Sequence, residues 1–336
     1  MGANAAQRLL QHYVDNFRRL PWRSPPGEPR PDVYRVWLSE VMLQQTTVAA
    51  VAPRFERFLE RWPTVEALAA APAEEVLSEW AGLGYYARAR NLIACARVVV
   101  DLGGFTGSER ELRRLPGVGA YTAAAIAAIA HGEDTVPVDT NVERVIARVN
   151  AIRAPGKTEV TRLAKAMAPP GRSGDFAQAL MDLGATICRP KAPRCAICPI
   201  RADCSAFASG NPERFPEGKS RAVRPRRFAV AWWIERDDCV WLVRRPPNGM
   251  LGGMAALPGE EWSDSPPSLA RQPLGTVRHV FTHFVLDLHL VACRDAVGEG
   301  WWQPLSGLDR AGLPTLYRRA AAVALAAAMG TDRAAA

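Results

Sequence analysis

Cys188-Arg189-Pro190-Lys191-Ala192-Pro193-Arg194-Cys195-Ala196-Ile197-Cys198-Pro199-Ile200-Arg201-Ala202-Asp203-Cys204 holds four of the chain's seven cysteines, at spacings of six, two and five residues. An odd number of cysteines cannot all pair off, and crowding of this kind in an intracellular chain points to metal rather than disulfides. Four thiolates are a complete ligand set for tetrahedral zinc or for a [4Fe–4S] cluster. Structural zinc commonly uses two close Cys-x2-Cys pairs, and only one is present. The uneven spacing fits a loop wrapped round a bulkier cubane, so Cys188, Cys195, Cys198 and Cys204 are expected to ligate an iron–sulfur cluster. Cys95, Cys239 and Cys293 stand singly in apolar sequence and read as ordinary buried thiols.

Upstream of this loop, from residue 5 to about 207, apolar residues recur at three- and four-residue intervals, with Gly or Pro between segments. The pattern predicts helices over 5–19, 33–46, 48–61, 64–68, 73–81, 86–102, 108–114, 120–130, 141–149 and 175–187, with a Pro-rich loop at 24–32. Between two of these helices lies Leu115-Pro116-Gly117-Val118-Gly119. Gly117 and Gly119 let the backbone turn tightly and approach a ligand, and the next helix presents free N–H groups. A phosphate held there would position DNA without reading its sequence.

Two carboxylates stand out. Glu40 lies within Val36-Trp37-Leu38-Ser39-Glu40-Val41-Met42-Leu43-Gln44-Gln45-Thr46, flanked by apolar residues at nearly every helical angle. Such surroundings raise a carboxyl's pKa and let it deliver a proton near neutral pH. Asp139, in Val136-Pro137-Val138-Asp139-Thr140-Asn141, is an acceptable helix N-cap. It is also a carboxylate able to stabilise positive charge on a sugar whose base is leaving. One acid and one anion together follow the logic of glycoside hydrolysis.

This combination resembles the helix-hairpin-helix DNA glycosylase superfamily, whose endonuclease III-like branch carries the same cysteine spacing, over roughly residues 5–207. The runs 37–46 and 82–91 narrow the resemblance to the adenine DNA glycosylase (MutY) family. That resemblance implies that Glu40 protonates adenine at N7 and later activates water. It implies that Asp139 stabilises the oxocarbenium-like state or links transiently to C1′, assisted by Tyr121 and Asn141. Trp22, Arg23 and Gln178 are implied in the adenine pocket, Gln44 and Gln45 beside it, and Gln45, Leu83 and Tyr85 in the stack next to the opposite base. Two glycines round Leu83 suit an exposed loop tip; helix-capping packing is the alternative. Endonuclease III-type lyases have a lysine at the position of Tyr121, and the first lysine here is Lys157. Base removal without efficient strand cleavage is therefore expected. Adenine must leave the stack to meet both carboxyls.

Residues 209–227 lack periodicity, hold Pro212, Pro216 and Pro225 and carry six basic residues. They read as an extended linker able to follow a DNA backbone. Beyond it the period changes to two: 228–235 and 239–243 read as strands paired around Asp237-Asp238, with alternation again from Phe284 to Val291, a strand at Trp301-Trp302 and a closing helix at 314–328. The expected fold is thus multidomain: an all-α helix-hairpin-helix domain with its iron–sulfur loop (1–208), a linker (209–227) and a smaller α/β domain (228–330). The last resembles the family's Nudix-like domain, through Gly252-Gly253-Met254 and His279-Val280-Phe281-Thr282-His283. In relatives a Phe-Ser-His stretch contacts 8-oxoguanine, which implicates Phe281, Thr282 and His283; a simple strand start is the other reading. Thr282 keeps the serine hydroxyl and adds a methyl. No Glu-rich Nudix catalytic box follows Gly259, so pyrophosphate hydrolysis is not expected.

The 336 residues suffice for two domains, and 42 Lys+Arg against 34 Asp+Glu give a net +8 that favours a polyanionic partner. The N-terminus has no signal pattern, and no apolar run approaches a membrane span. The expectation is a cytoplasmic, nucleoid-associated bacterial monomer acting on double-stranded DNA with adenine opposite 8-oxoguanine or guanine, and no membrane. A thymine- or uracil-mismatch glycosylase is disfavoured by the second domain, and a cluster-based DNA-binding redox sensor by the presence of both Glu40 and Asp139.

Overall fold

The computed structural model describes residues 3–218, 223–246, 249–269 and 272–334. Among these residues twelve α-helices precede the first strand: α1 (Ala3–Asp15), α2 (Val33–Leu43), α3 (Val48–Arg61), α4 (Val65–Ala70), α5 (Ala73–Glu79), α6 (Ala87–Asp101), α7 (Glu109–Leu112), α8 (Ala120–Ile126), α9 (Thr140–Val149), α10 (Lys157–Met167), α11 (Ser173–Thr186) and α12 (Ser205–Ala208). Seven strands follow: β1 (Arg226–Trp233), β2 (Glu235–Arg236), β3 (Cys239–Arg244), β4 (Ala255–Ala256), β5 (Gly275–Val280), β6 (Val285–Ala292) and β7 (Gly300–Pro304), then α13 (Thr315–Ala334). The chain divides into two compact units: residues 1–70 with 91–220, and residues 71–90 with 221–336.

In the first unit, α1, α9, α10 and α11 share a core built on Leu9, Val142, Ile146, Phe176 and Leu180, the apolar stripes their helical spacing requires. Helix α10 was not anticipated. Val160, Leu163, Ala164 and Met167 fall at helical spacing along it; Val160 and Ala164 are buried, and Leu163 and Met167 pack partly buried against the same core. The segment expected as one helix over 120–130 runs as α8 to Ile126 and then widens into a π-turn, Ala127–His131, closed by Gly132 at φ 75°. Asp32 and Asp139 cap α2 and α9, accepting from the backbone N–H groups of Arg35 and Val142.

The expected linker begins later than residue 209. Phe215 accepts a hydrogen bond from Arg148 Nε at 2.9 Å, and Glu217 N–H donates to Arg153 O at 2.7 Å, so this part of the chain is fastened to the helical unit. Residues 219–222 of the expected linker, with Lys219 and Arg221, lie outside the described residues.

In the second unit the expected pairing of 228–235 with 239–243 is corrected. Strand β1 pairs in parallel with β6, which pairs antiparallel with β5. Only Glu235 and Arg236 form a hairpin with β3, across Asp237 and Asp238 at φ 49° and 54°, the left-handed pair that a tight turn requires. β4 and β7 also flank β3. Local sequence shows that β1 is a strand; its partner lies far downstream and is chosen by burying Ala229, Ala231 and Trp233 with Leu286, Leu288 and Leu290 under α13. Residues 71–90, expected in the helical domain, belong to this unit. Arg90 Nη1 donates to Gly252 O at 2.7 Å, and Ser78 Oγ to Arg310 O at 3.3 Å.

Candidate active site

One cavity of about 930 Å3 opens in the first unit, of a size suited to a nucleobase and its sugar. Helix α2 brings Glu40 to its wall and extends to Gln44 and Gln45; the first turn of α8 adds Tyr121; the start of α9 adds Asp139 and Asn141. Trp22, Arg23 and Gln178 complete the set anticipated from sequence. The Pro-rich loop does not remove Trp22 and Arg23 from the cavity: Asp32 ends it as a helix cap, and Arg35 Nη2 ties α2 back to Pro21 O at 2.8 Å.

Glu40 is 7% exposed. Burial pushes its carboxyl up to about 7, the Tyr121 hydrogen bond and the Arg23 charge oppose that shift, and the Asp139 charge adds to it. Burial, followed by the nearby Glu40 and Asp139 charges, raises the Tyr121 phenol well above its ordinary value, so it stays a donor. Asp139 accepts from Val142 N–H at 2.7 Å through one oxygen and from Asn141 Nδ2 at 2.8 Å through the other. The capping and the chemical readings of Asp139 are therefore compatible in one geometry.

Several residues that shape the site escaped sequence reasoning. Asp182 clamps Arg23 with bonds of 2.6 and 3.1 Å and also accepts from Arg18 at 2.9 Å, which fixes the guanidinium beside the cavity. Arg144 Nη2 donates to Asn141 Oδ1 at 2.9 Å, and a Cβ on Gly184 would meet Asn141 Cβ at 2.6 Å. Only a glycine lets α11 pass that close. Lys157, distant from the hairpin in sequence, lines the cavity from the start of α10. Nothing in a local motif points to these contacts, since each is made across helices.

The two hairpin glycines serve differently. Gly117 adopts φ 72°, and a Cβ there would lie 2.6 Å from Asn91 Cβ; Gly119 caps α8 with open space around it. Gly117→Ala is expected to destabilise the protein by at least about 1–2 kcal/mol, because it adds left-handed strain to that clash. Urea unfolding checks this, and an unchanged midpoint would refute it.

The four cysteines ring a second cavity with Arg148, Arg201 and Phe207. Burial raises the Cys195 and Cys204 thiols and pushes Cys198 up to about 11, so these sulfurs need a compensating cation to ionise. Arg148 Nη1 stands 3.3 Å from Cys188 Sγ, while the same side chain binds the carbonyls of Arg189 and Pro190. Helix α9 thus carries Asp139 at one end and anchors the cysteine loop at the other. Among the described residues, no three His, Cys, Asp or Glu side chains converge closely enough to hold a single metal ion.

In the second unit the loop 82–86 is pinned by Arg88, whose Nη2 donates to Leu83 O at 3.0 Å and Gly84 O at 3.2 Å. Leu83 is 4% exposed, which corrects the expectation of an exposed leucine at the loop tip; Tyr85, 46% exposed at φ 49°, occupies that place. Tyr85 and Thr282 hydroxyls hydrogen-bond at 2.8 Å. Phe281, Thr282 and His283 form the turn between β5 and β6 rather than a strand start, with Phe281 N–H donating to Phe284 O at 2.9 Å.

Residues 38–170 match the family described as HhH-GPD superfamily base excision DNA repair protein, and residues 229–322 match the NUDIX domain family. The adenine DNA glycosylase of Mus musculus is 36% identical over 83% of this chain and 68% of its own length. The chain belongs to the adenine DNA glycosylase family. Another member, from Buchnera aphidicola, is 32% identical over 92% of this chain and 95% of its own length. The family's members are hydrolases of N-glycosyl bonds. Among solved structures, a thermostable thymine-DNA glycosylase aligns with TM-score 0.56 at 30% identity, over 61% of this chain and 95% of that one. Endonuclease III trapped as a covalent intermediate with DNA aligns with TM-score 0.53 at 25% identity, over 61% and 95%.

Proposed function

We propose that this adenine DNA glycosylase family member excises adenine mispaired with 8-oxoguanine or guanine, by hydrolysing the N-glycosidic bond of a nucleotide flipped from the duplex. The observation that carries this reading is the pairing of a buried, proton-holding Glu40, hydrogen-bonded by Tyr121, with the capped carboxylate Asp139 in one cavity. Glu40 delivers its proton to the adenine ring, which turns the base into a neutral leaving group. Asp139 faces the positive charge that grows on the sugar, and Asn141 holds it in place. Glu40, now ionised, accepts a proton from the attacking water.

Trp22, Arg23 and Gln178 enclose the base, with Gln44 fastened to Thr122 at 3.2 Å beside it. Gln45 and Tyr85 fill the stack, the Gly117–Gly119 hairpin grips phosphate, and Phe281, Thr282 and His283 meet the opposite base. The protein acts as a monomer in the bacterial cytoplasm. Cys188, Cys195, Cys198 and Cys204 hold a [4Fe–4S] cluster; four soft sulfur donors in one loop, no three of them close enough to share a single ion, are the donor set such a cluster takes. When bound, the cluster orders the loop. Metal and sulfide analysis is expected to find four irons per chain, and zinc in their place would overturn this assignment.

The test of function incubates purified protein with duplexes pairing adenine with 8-oxoguanine, adenine with guanine, or thymine with guanine, followed by alkali. Cleavage at adenine only is expected; an intact adenine strand refutes the reading. Borohydride is expected to trap no covalent adduct, because Tyr121 carries no amine. An adduct that disappears in Lys157→Ala would show instead that the amine lining the cavity forms a Schiff base.

A further inference from the structure

The second unit carries a charged device that the base-excision chemistry does not use. Asp287, in the middle strand β6, is 4% exposed and is bound from both sides. Arg226 on β1 donates through Nε at 2.5 Å, and Arg278 on β5 through Nε at 2.9 Å. Three adjacent strands thus place two guanidinium groups on one sheet face, where their side chains are 56% and 63% exposed. Each uses its Nε edge on the carboxylate and keeps further N–H donors for a ligand. Arg278, then Arg226, hold the Asp287 carboxyl below its ordinary value, so the brace stays ionised. The outer part of this face is open: Val280 and Thr276, beside Arg278 on β5, are exposed.

The same surface borders the turn 281–283. Arg224 Nε donates to Thr282 O at 3.1 Å, and Arg319 Nη1 to Arg278 O at 3.0 Å. Arg224, Arg226, Arg278 and Arg319 therefore lie on or against the segments that flank the turn, while Arg227, over the Phe284 ring, is paired with the exposed Asp264. A buried anion that braces two exposed guanidinium groups makes a net-positive patch of the kind that takes phosphodiester oxygens. An acidic peptide would offer the same charge sign but not the regular spacing of a nucleic-acid backbone.

We infer that Arg226 and Arg278, braced by Asp287, form a phosphate clamp that grips the DNA backbone beside the Phe281–Thr282–His283 turn. The inference rests on the reading that this turn meets the base opposite adenine. Binding of the full-length protein would be followed by anisotropy across a salt series, on a duplex with 8-oxoguanine opposite a non-hydrolysable adenosine and on an undamaged duplex. Each lost phosphate contact makes the slope of log K against log salt shallower by about 0.9. Arg278→Gln and Arg226→Gln are each expected to show that loss, whereas Arg278→Lys and Arg310→Gln, the latter a remote loss of equal charge, keep the wild-type slope. An unchanged slope in both glutamine variants, or an equal change in Arg310→Gln, overturns the clamp. Thr282→Ala separates the two readings. Lost lesion preference there, with an unchanged slope in Arg278→Gln, sinks the clamp alone; intact preference, with a shallower slope in Arg278→Gln, sinks the turn reading and leaves the clamp.

Discussion

Asp139→Asn is expected to leave the fold intact while slowing base release by at least about a thousandfold, on the scale of ~4 kcal/mol of transition-state stabilisation. The separation of the two effects follows from the geometry. Asp139 accepts from Val142 N–H to cap α9, and asparagine caps a helix as well as aspartate does. What asparagine lacks is the negative charge opposite the developing oxocarbenium ion and the second acceptor oxygen, so the bond from Asn141 Nδ2 is lost while the cap is kept. Thermal melts should therefore fall only slightly while single-turnover excision falls by orders of magnitude. Because the Asp139 charge also raises Glu40, the residual activity of Asp139→Asn should have its alkaline limb shifted to lower pH. A rate within tenfold of wild type would remove Asp139 from the mechanism.

Glu40→Gln is expected to reduce excision by about 100- to 10,000-fold, the usual range for losing a general acid, and to change stability in the opposite direction. The carboxyl is held up to about 7 in the folded protein against an ordinary 4.5. The folded state therefore binds this proton more tightly than the unfolded chain. Its contribution to stability is complete below pH 4.5 and is lost as the pH rises to about 7, a change on the order of 3 kcal/mol. Glutamine has no such proton, so the variant should gain stability relative to wild type between pH 5 and pH 8. For wild type, kcat/KM should fall above about pH 7 as Glu40 ionises. Equal pH dependence of stability in wild type and Glu40→Gln would mean that Glu40 is not the buried acid described above.

Much of this protein was readable from local pattern. The helices around Glu40 and Asp139, the glycine hairpin, the cysteine loop and the change of period after residue 227 each depend on residues close together in sequence. Spacing along the chain sets which side chains share a helical face or a strand face, so those assignments needed no knowledge of partners. The apolar flanks of Glu40 foretold its burial, and the position of Asp139 foretold its cap. The spacing of Val160, Leu163, Ala164 and Met167 makes α10 legible in the same way.

Contacts between distant segments were decided by tertiary packing. Asp182 holding Arg23, Gly184 admitting Asn141, and Arg148 reaching from the catalytic helix to the cysteine loop leave no local trace, because each is set by how helices cross. Sequence showed β1 as a strand, but burial of its Ala229, Ala231 and Trp233 face chose β6 as its partner. Leu83 looked like a loop tip until packing buried it and left Tyr85 exposed, bonded to Thr282 nearly two hundred residues away. Chain-local chemistry determined which residues can act. The folded core determined which of them meet, since only the burial of surfaces from remote segments selects among the many pairings that local pattern allows.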